Sequence, residues 1–379
     1  MSASARPDVL ARWRALLARG EPDLFDGALL IAELVDPAED AGQARQRVAE
    51  LAARMQKDKG ASEGLLPALT RVLFEEEGFR GDEESYDEPS NSSVGSVLAR
   101  RRGMPITLSI VAMEVGKLAG LRLTGIGLPG HFVVGGPDLP EGMYLDPFGG
   151  GALCDAEALS RRLGAIFGAP VALGSDALRP DPARAILGRV LLNLRRSYER
   201  RNRWEDALRA LELSEALEPQ SGLLLRERGL LLLKCGRGAE AVVALEAYVE
   251  TAGAEDAGPV AKLIETIRES GVTEEAETED GPRKIFTLEE ARALLPRVKE
   301  LTSDAVARFT QLPGDQEDER RAIVEGWVGE LEALGCEIKG LWLVDFDSGG
   351  GYYCWKYPEP ALDHFHGYEE GFSGRLALQ

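Results

Sequence analysis

RRGMPITLSIVAMEVGKLAGLRLTGIGLPGHFVVGGPDLPEGMYLDPFGGG, from Arg101 to Gly151, is the stretch on which the rest of the chain turns. It holds the only histidine in the first 360 residues, His131. Pro105 suits the first turn of a helix, where a missing N–H costs nothing. Ile106, Ile110, Met113 and Leu118 then recur at roughly helical spacing until Gly120 stops the run, which predicts a buried helix. HFVV and MYLD follow, separated by GGPDLPEG, and read as strand, loop and strand. With Val134 opposite Met143, an antiparallel register sets His131 opposite Asp146, the Cβ atoms about 5 Å apart. A carboxylate so placed orients an imidazole, which is half of a catalytic triad.

A helix headed by a Gly-x-Cys turn, a strand bearing His and a strand bearing Asp before Pro form the layout of transglutaminase-like, papain-like cores, and this segment resembles it. It resembles more closely the SirB1 type of transglutaminase-like protein, through VLARRRGMPITLS, GLPGHFVV and LDPFGGG. The likeness covers roughly Phe74 to Leu153 and, with helical repeats behind it, extends to about Ser270. What it implies is a cleft with His131 as base, Asp146 as its orienting partner and a cysteine at the helix start. That cysteine's place falls on or near Pro105, and no Cys lies between Met1 and Leu153. A thiolate there would be stabilised by the helix dipole and an imidazole, whereas proline offers no nucleophile.

The nearest hydroxyls are Thr107 and Ser109, and Cys154 follows the GGG turn. A hydroxyl needs a better base and an oxyanion hole to match a thiol. His131 and Asp146 are therefore taken first as a retained buried pair, in which losing one partner strands the other at about 3 kcal/mol. Catalysis through Thr107, Ser109 or Cys154 is the alternative, and a cleft that binds a peptide or small ligand is a third reading. Asn91 belongs to the Asn-Ser that precedes the VL run in the SirB1 type. The expectation is that Asn91 or Ser92 caps the following helix, with Asn91 also a candidate ligand-binding residue of the cleft.

Composition narrows the partners. With 379 residues, 44% hydrophobic and 28% charged, the chain can bury more than one core. A net charge of −20 repels phosphate backbones and acidic membranes, so nucleic acid and membrane are not expected partners. The Arg100–Arg102 run and RRSYERRNR from Arg195 to Arg203 read as solvated or salt-bridging helix faces. The first residues carry no long apolar stretch, and the four cysteines (154, 235, 336 and 354) form no CxxC pair, which points to the cytoplasm.

The fold class expected is α+β, in four parts. Residues 1–170 combine helices breaking at Gly20, Pro37 and Gly60 with the transglutaminase-like core, and end in a helix from Asp155 to Phe167. Residues 183–271 hold an internal repeat: Ala207 aligns with Ala241, Leu211 with Leu245 and Tyr198 with Leu232, a period of 34. That period is the signature of tetratricopeptide helix pairs, which implies a protein or peptide partner or a structural cap on the cleft domain. Residues 272–282 form an acidic linker, VTEEAETEDGP.

Residues 283–379 open on a capping box, Thr287 with Glu290, before a helix. A second helix follows from Arg320 to Leu334, then two strand-like runs, IKGLWLVDF and GYYCWKY. TLEEARALLP, LVDF, CWKY with Glu359, and Phe365-His366 followed by GFSGR resemble the bacterial DUF2203 family. Asp345, Cys354, Glu359, Asp363, His364, His366 and Arg375 crowd this tail. His-x-His with a nearby Cys and Asp is a candidate metal site, but the spacing lacks a second paired motif, His364 lies outside the matching pattern, and Trp342, Trp355 and Phe365 point to a packed aromatic cluster, so no metal and no cofactor are expected. A ligand pocket built on Trp355, His366 and Arg375 is the sharper alternative, with an anion opposite Arg375.

Overall fold

The computed structural model describes residues 9–58, 64–167, 173–251, 254–269, 284–312, 316–367 and 375–378. The chain divides into two compact units, one of Met1–Gly127, Val133–Leu153 and Pro180–Glu279, the other of Leu128–Phe132, Cys154–Arg179 and Asp280–Gln379. The structure is mixed α+β, as the sequence predicts.

Four helices open it: α1 (Val9–Leu17), α2 (Leu24–Val35), α3 (Ala41–Asp58) and α4 (Leu65–Thr70). A π-helical turn, Arg71–Glu76, extends α4 and leads to the short strand β1 (Arg80–Gly81). Then come α5 (Val94–Arg100), β2 (Arg102–Gly103), which runs parallel to β1, and α6 (Pro105–Ala119). The cap of α5 differs from the expectation. Pro89 opens a 3-10 turn that takes up Asn91 and Ser92, so Ser93 caps the helix, its Oγ accepting from Ser96 N at 3.0 Å. Helix α6 has Pro105 at its first position and Gly120, at φ 104°, at its end. It is apolar on nearly every side, and α2, α3, α4 and α5 pack around it.

A four-stranded sheet follows, in the order β3 (Thr124–Leu128), β4 (His131–Gly135), β5 (Met143–Asp146), β6 (Ala152–Asp155). The two expected strands are its centre, and β3 and β6 flank them. The expected register is corrected: Val134 pairs with Leu145, not Met143. The loop closes through two successive turns, Leu139 N to Gly136 O and Met143 N to Pro140 O, which consume two more residues than a simple hairpin would. After β5 the chain folds back on Asp146, whose Oδ1 accepts from Gly149 N at 3.0 Å and whose carbonyl accepts from Gly151 N at 2.8 Å. Gly150 and Gly151 are left-handed, at φ 72° and 78°. Phe148 lies against Gly81, and Phe74 against Gly151.

Helix α7 (Ala156–Phe167) precedes the repeat region, α8 (Ala183–Glu199), α9 (Trp204–Leu217), α10 (Gly222–Lys234), α11 (Gly238–Thr251) and α12 (Ala254–Glu269). Both ends of α11 are displaced from those of α9 by 34 residues, matching the predicted period. Ala207 and Ala241 are fully buried, because small side chains let the paired helices approach. The first pair is docked within its own unit: Trp13 Nε1 donates to Leu213 O at 2.9 Å, and the Tyr198 hydroxyl to Leu34 O at 3.2 Å. The Arg195–Arg203 run is a salt-bridging seam, with Arg200 on Asp87, Arg201 on Glu88 and Arg195 on Glu199 and Glu227. The acidic linker lies outside the described residues.

The last segment has α13 (Leu288–Gln311), with the Thr287–Glu290 capping box in place, and α14 (Glu317–Glu332). Its sheet, in the order β11-β10-β9-β8-β7, comprises β7 (Glu337–Gly340), β8 (Leu343–Asp347), β9 (Tyr352–Lys356), β10 (His364–His366) and β11 (Leu376–Ala377). IKGLWLVDF is therefore not one strand. It breaks at Leu341–Trp342, where Trp342 takes a left-handed φ of 60°, and β7 and β8 pair antiparallel.

Two stability predictions follow from this packing. A Cβ on Gly151 would lie 2.0 Å from Phe74 Cδ2 on a left-handed backbone. Gly151→Ala is expected to cost about 3 kcal/mol in urea unfolding, and a loss near zero would contradict the close approach. Glu77 is nearly buried beside Arg47, at 2.6 Å, Arg54 and Arg101. Burial alone would raise its carboxyl, but Arg54 and Arg47 hold it below the usual value of 4.5. A depressed carboxyl stabilises the fold above its unfolded pKa, and that contribution is lost as pH falls through the folded one. Glu77→Gln should cost about 2 kcal/mol at neutral pH. Melting curves taken toward about pH 3 should show the gap to wild type closing, and a constant gap would contradict this assignment.

Candidate functional site

Helix α6 and the β4–β5 pair carry the residues singled out from the transglutaminase-like segment. Pro105 fixes the first turn of α6, and Met104, extended at the cap position, offers no side-chain cap. Thr107 and Ser109 are both fully buried. Their hydroxyls differ. Ser109 Oγ donates back to Pro105 O at 2.8 Å, a bond within the helix, whereas Thr107 Oγ1 is buried without a hydrogen-bond partner.

His131 begins β4 and Asp146 ends β5, at 3% and 0% exposure. The observed register carries Val133, not His131, to the position across from Asp146. Asp146 also holds its own turn through the Gly149 and Gly151 amides.

Cys154 lies on the edge strand β6, two strands from β4 in the sheet order. Two strand spacings amount to about 10 Å, beyond the reach of an imidazole on β4. Two of the remaining thiols are likewise poor nucleophiles: burial pushes Cys235 up to about 11 and Cys336 up to about 12.

Asn91 is fully buried and engaged at both ends of its amide. Nδ2 donates to Ser85 O at 2.6 Å and Tyr86 O at 3.1 Å, and Oδ1 accepts from Arg100 at 2.7 Å. It pins the 85–91 loop to the end of α5, which is neither a capping role nor a surface offered to a ligand.

In the C-terminal sheet, Asp345 faces Cys354 and Cys354 faces His364, while Asp347 faces Tyr352 and Tyr352 faces His366. Strand alternation puts all six on one side, leaving Val344, Phe346, Tyr353, Trp355 and Phe365 on the other. Trp355 therefore does not join His366 in a pocket; it is buried, and its Nε1 donates to Glu359 O at 2.9 Å. Arg375 grips Glu359 with two bonds of 2.7 Å, so its charge is already matched by a carboxylate. Glu359 is held below its usual value: burial would raise it, and Arg375 outweighs burial. Of the Asp, Cys and His-x-His group that the sequence weighs as a metal site, the structure brings together Asp345, Cys354 and His366, all fully or nearly fully buried, and leaves His364 out. The signal lay in strand parity: LVDFD, YYCWK and HFH each carry their polar residues at every second position.

A buried helix leading into a sheet with His on one strand and Asp on the next defines a transglutaminase-like core, and residues 41–192 match the transglutaminase-like superfamily. Residues 194–269 match the tetratricopeptide repeat and residues 284–378 the uncharacterised conserved protein group DUF2203. The chain belongs to the UPF0162 (SirB) family. It is 37% identical over 189 residues to a UPF0162 protein of Xylella fastidiosa, spanning 49% of this chain and 67% of that one. It is 30% identical over 207 residues to a UPF0162 protein of Pseudomonas aeruginosa, spanning 52% and 74%. A shorter likeness, 32% over 84 residues, joins it to F-box only protein 21 of mouse, spanning 22% of this chain and 13% of that protein. Transglutaminase-like and tetratricopeptide domains together support a regulatory or interaction role. Among the described residues, no helix is long and apolar enough to cross a membrane.

The hydroxyl of Thr107 gives this site its own test. Replacing a buried, unpartnered hydroxyl by a methyl of the same shape removes a desolvation penalty. Thr107→Val is expected to raise stability by about 1 kcal/mol in thermal melts, and a loss of that size would mean that the hydroxyl is bonded.

Proposed function

We propose that this protein is a regulatory scaffold that holds a protein or peptide partner, with its transglutaminase-like core acting as a folded platform and its repeats as the binding surface. The observation that carries this reading is the start of α6. Where an active core of this kind presents a thiol, this helix begins with Pro105, and the hydroxyls behind it are fully buried. On this reading His131 and Asp146 are retained structural residues and not a catalytic base and its partner. The repeats supply the surface: the first helix pair is taken up by α1 and α2, while Leu223 on α10 and Val243 on α11 stand 52% and 66% exposed. Exposed apolar side chains on stacked repeats suit partner docking. The reading places the protein in the cytoplasm, which its four free cysteines support, and excludes nucleic acid and membrane on the strength of its −20 charge.

A second reading rests on one observation, the unpartnered hydroxyl of Thr107. There the protein is a peptidase or acyl-transfer enzyme, with His131 as base, Asp146 orienting it and Thr107 as nucleophile.

The two separate by mutation. On the scaffold reading, His131→Ala and Asp146→Ala each lower stability by about 3 kcal/mol, and the double variant loses less than the sum. Wild type and His131→Ala then give the same background rate of acyl transfer from an activated ester to a primary amine. Turnover by wild type that vanishes in His131→Ala, with the melting temperature unchanged, would overturn the scaffold reading in favour of the enzyme.

A further inference from the structure

Three side chains from three adjacent strands converge inside the C-terminal sheet: Asp345 on β8, Cys354 on β9 and His366 on β10. Their exposures are 0%, 0% and 3%, and their ligand atoms all lie within 4.8 Å of one another. A carboxylate, a thiol and an imidazole so deeply buried need a reason to be together, since each is costly to desolvate.

The orientation of the histidine is one sign of what that reason is. His366 Nδ1 lies 2.9 Å from Gly367 O, a distance at which it donates to the carbonyl, and this leaves Nε2 as the atom turned inward. Nε2 is 3.3 Å from Asp345 Oδ2. An imidazole anchored by its outer nitrogen to a backbone carbonyl, with its inner lone pair presented to the site, is how metal-bound histidines are held. The carboxylate is the second sign. Both oxygens of Asp345 are buried, and what they face is the Cys354 thiol and His366 Nε2, with no Lys or Arg ion pair among the described residues. A fully buried carboxylate in that state is short of a cation.

We propose that Asp345, Cys354 and His366 form a three-ligand site for a divalent transition metal of the zinc class. The donor set of one sulfur, one nitrogen and one oxygen suits a borderline-soft ion and not magnesium or calcium, which take oxygen alone. In a tetrahedral zinc site neighbouring donor atoms stand about 3.3–3.7 Å apart, so closing this trio requires only small side-chain rotations. The fourth position is left to water, the arrangement of three-ligand zinc sites. On binding, the Cys354 S–H bond breaks, the sulfur keeps the electron pair and coordinates the ion, and the proton leaves to solvent.

The other groups on this face are already committed. The Tyr352 hydroxyl donates to Glu337 at 2.7 Å, and Asp347 Oδ1 accepts from Gly349 N at 2.8 Å. His364 is turned toward Glu359, 3.9 Å away. Among the described residues the site consists of the three named side chains, and it is independent of the scaffold reading.

The test uses the full chain, stripped with a chelator and titrated with cobalt(II) under anaerobic conditions. The expected result is about one cobalt per chain, with a thiolate-to-cobalt charge-transfer band and the strong visible bands of four-coordinate cobalt. Cys354→Ser should abolish the charge-transfer band, and His366→Gln should weaken binding at least tenfold. Because a buried substitution can disturb folding, a second variant carries Cys154→Ser, Cys235→Ser and Cys336→Ala together, and this one should keep the band. Absence of a thiolate band in wild type at excess cobalt would overturn the proposal. So would its loss in the triple-cysteine variant while Cys354→Ser retains it.

Discussion

Burial of helix α6 is the constraint on which the transglutaminase-like part of this protein depends. From Pro105 to Ala119 the helix is apolar over most of its surface, with only Lys117 and Leu118 exposed near its end, and helices α2, α3, α4, α5 and α8 pack around it. That burial fixes the chemistry available at its start. Pro105 supplies a preset φ and no reactive group, and the first-turn hydroxyls are fully buried, one of them tied to the helix backbone. The turn from Asp146 to Gly151 completes the same core, with Phe74 and Phe148 pressed against glycines that have no Cβ to obstruct them.

The C-terminal sheet follows a different logic. One side is apolar and aromatic, with Phe346 edge-on to Phe286 at 5.4 Å between ring centres. The other side gathers acids, histidines and a cysteine, and still most of these side chains are buried. Polar groups buried on one face of a sheet must find partners there, and Asp345 finds its neighbours in Cys354 and in His366, whose Nε2 lies 3.3 Å from Oδ2. In the transglutaminase-like core Asn91 and Ser109 are satisfied locally, whereas in the C-terminal sheet Asp345, Cys354 and His366 face one another.

Much of this was legible in the sequence, and the failures have physical causes. The helical period from Ile106 to Gly120, the 34-residue repeat from Ala207 to Ala241 and the capping box at Thr287 are local signals, and each appears where the residues place it. The pairing of β4 with β5 slipped by two residues because the loop folds through two turns, and loop geometry is not encoded in strand alternation. Asn91 and Ser92 were displaced from the cap by a 3-10 turn that Pro89 initiates. The convergence of Asp345, Cys354 and His366 escaped spacing rules because those rules describe ligands on one helix or loop. Here three strands deliver one ligand each, and only the sheet register brings them together.

The central proposal, that the core is a platform for the repeats and does no covalent chemistry, is tested most directly by intact-mass and peptide-mapping mass spectrometry after exposure to an activated acyl probe. The account predicts no acyl adduct on any residue of α6, at any time during incubation. A stoichiometric adduct on Thr107, forming in wild type and absent from His131→Ala, would contradict it and make the protein an enzyme with a threonine nucleophile.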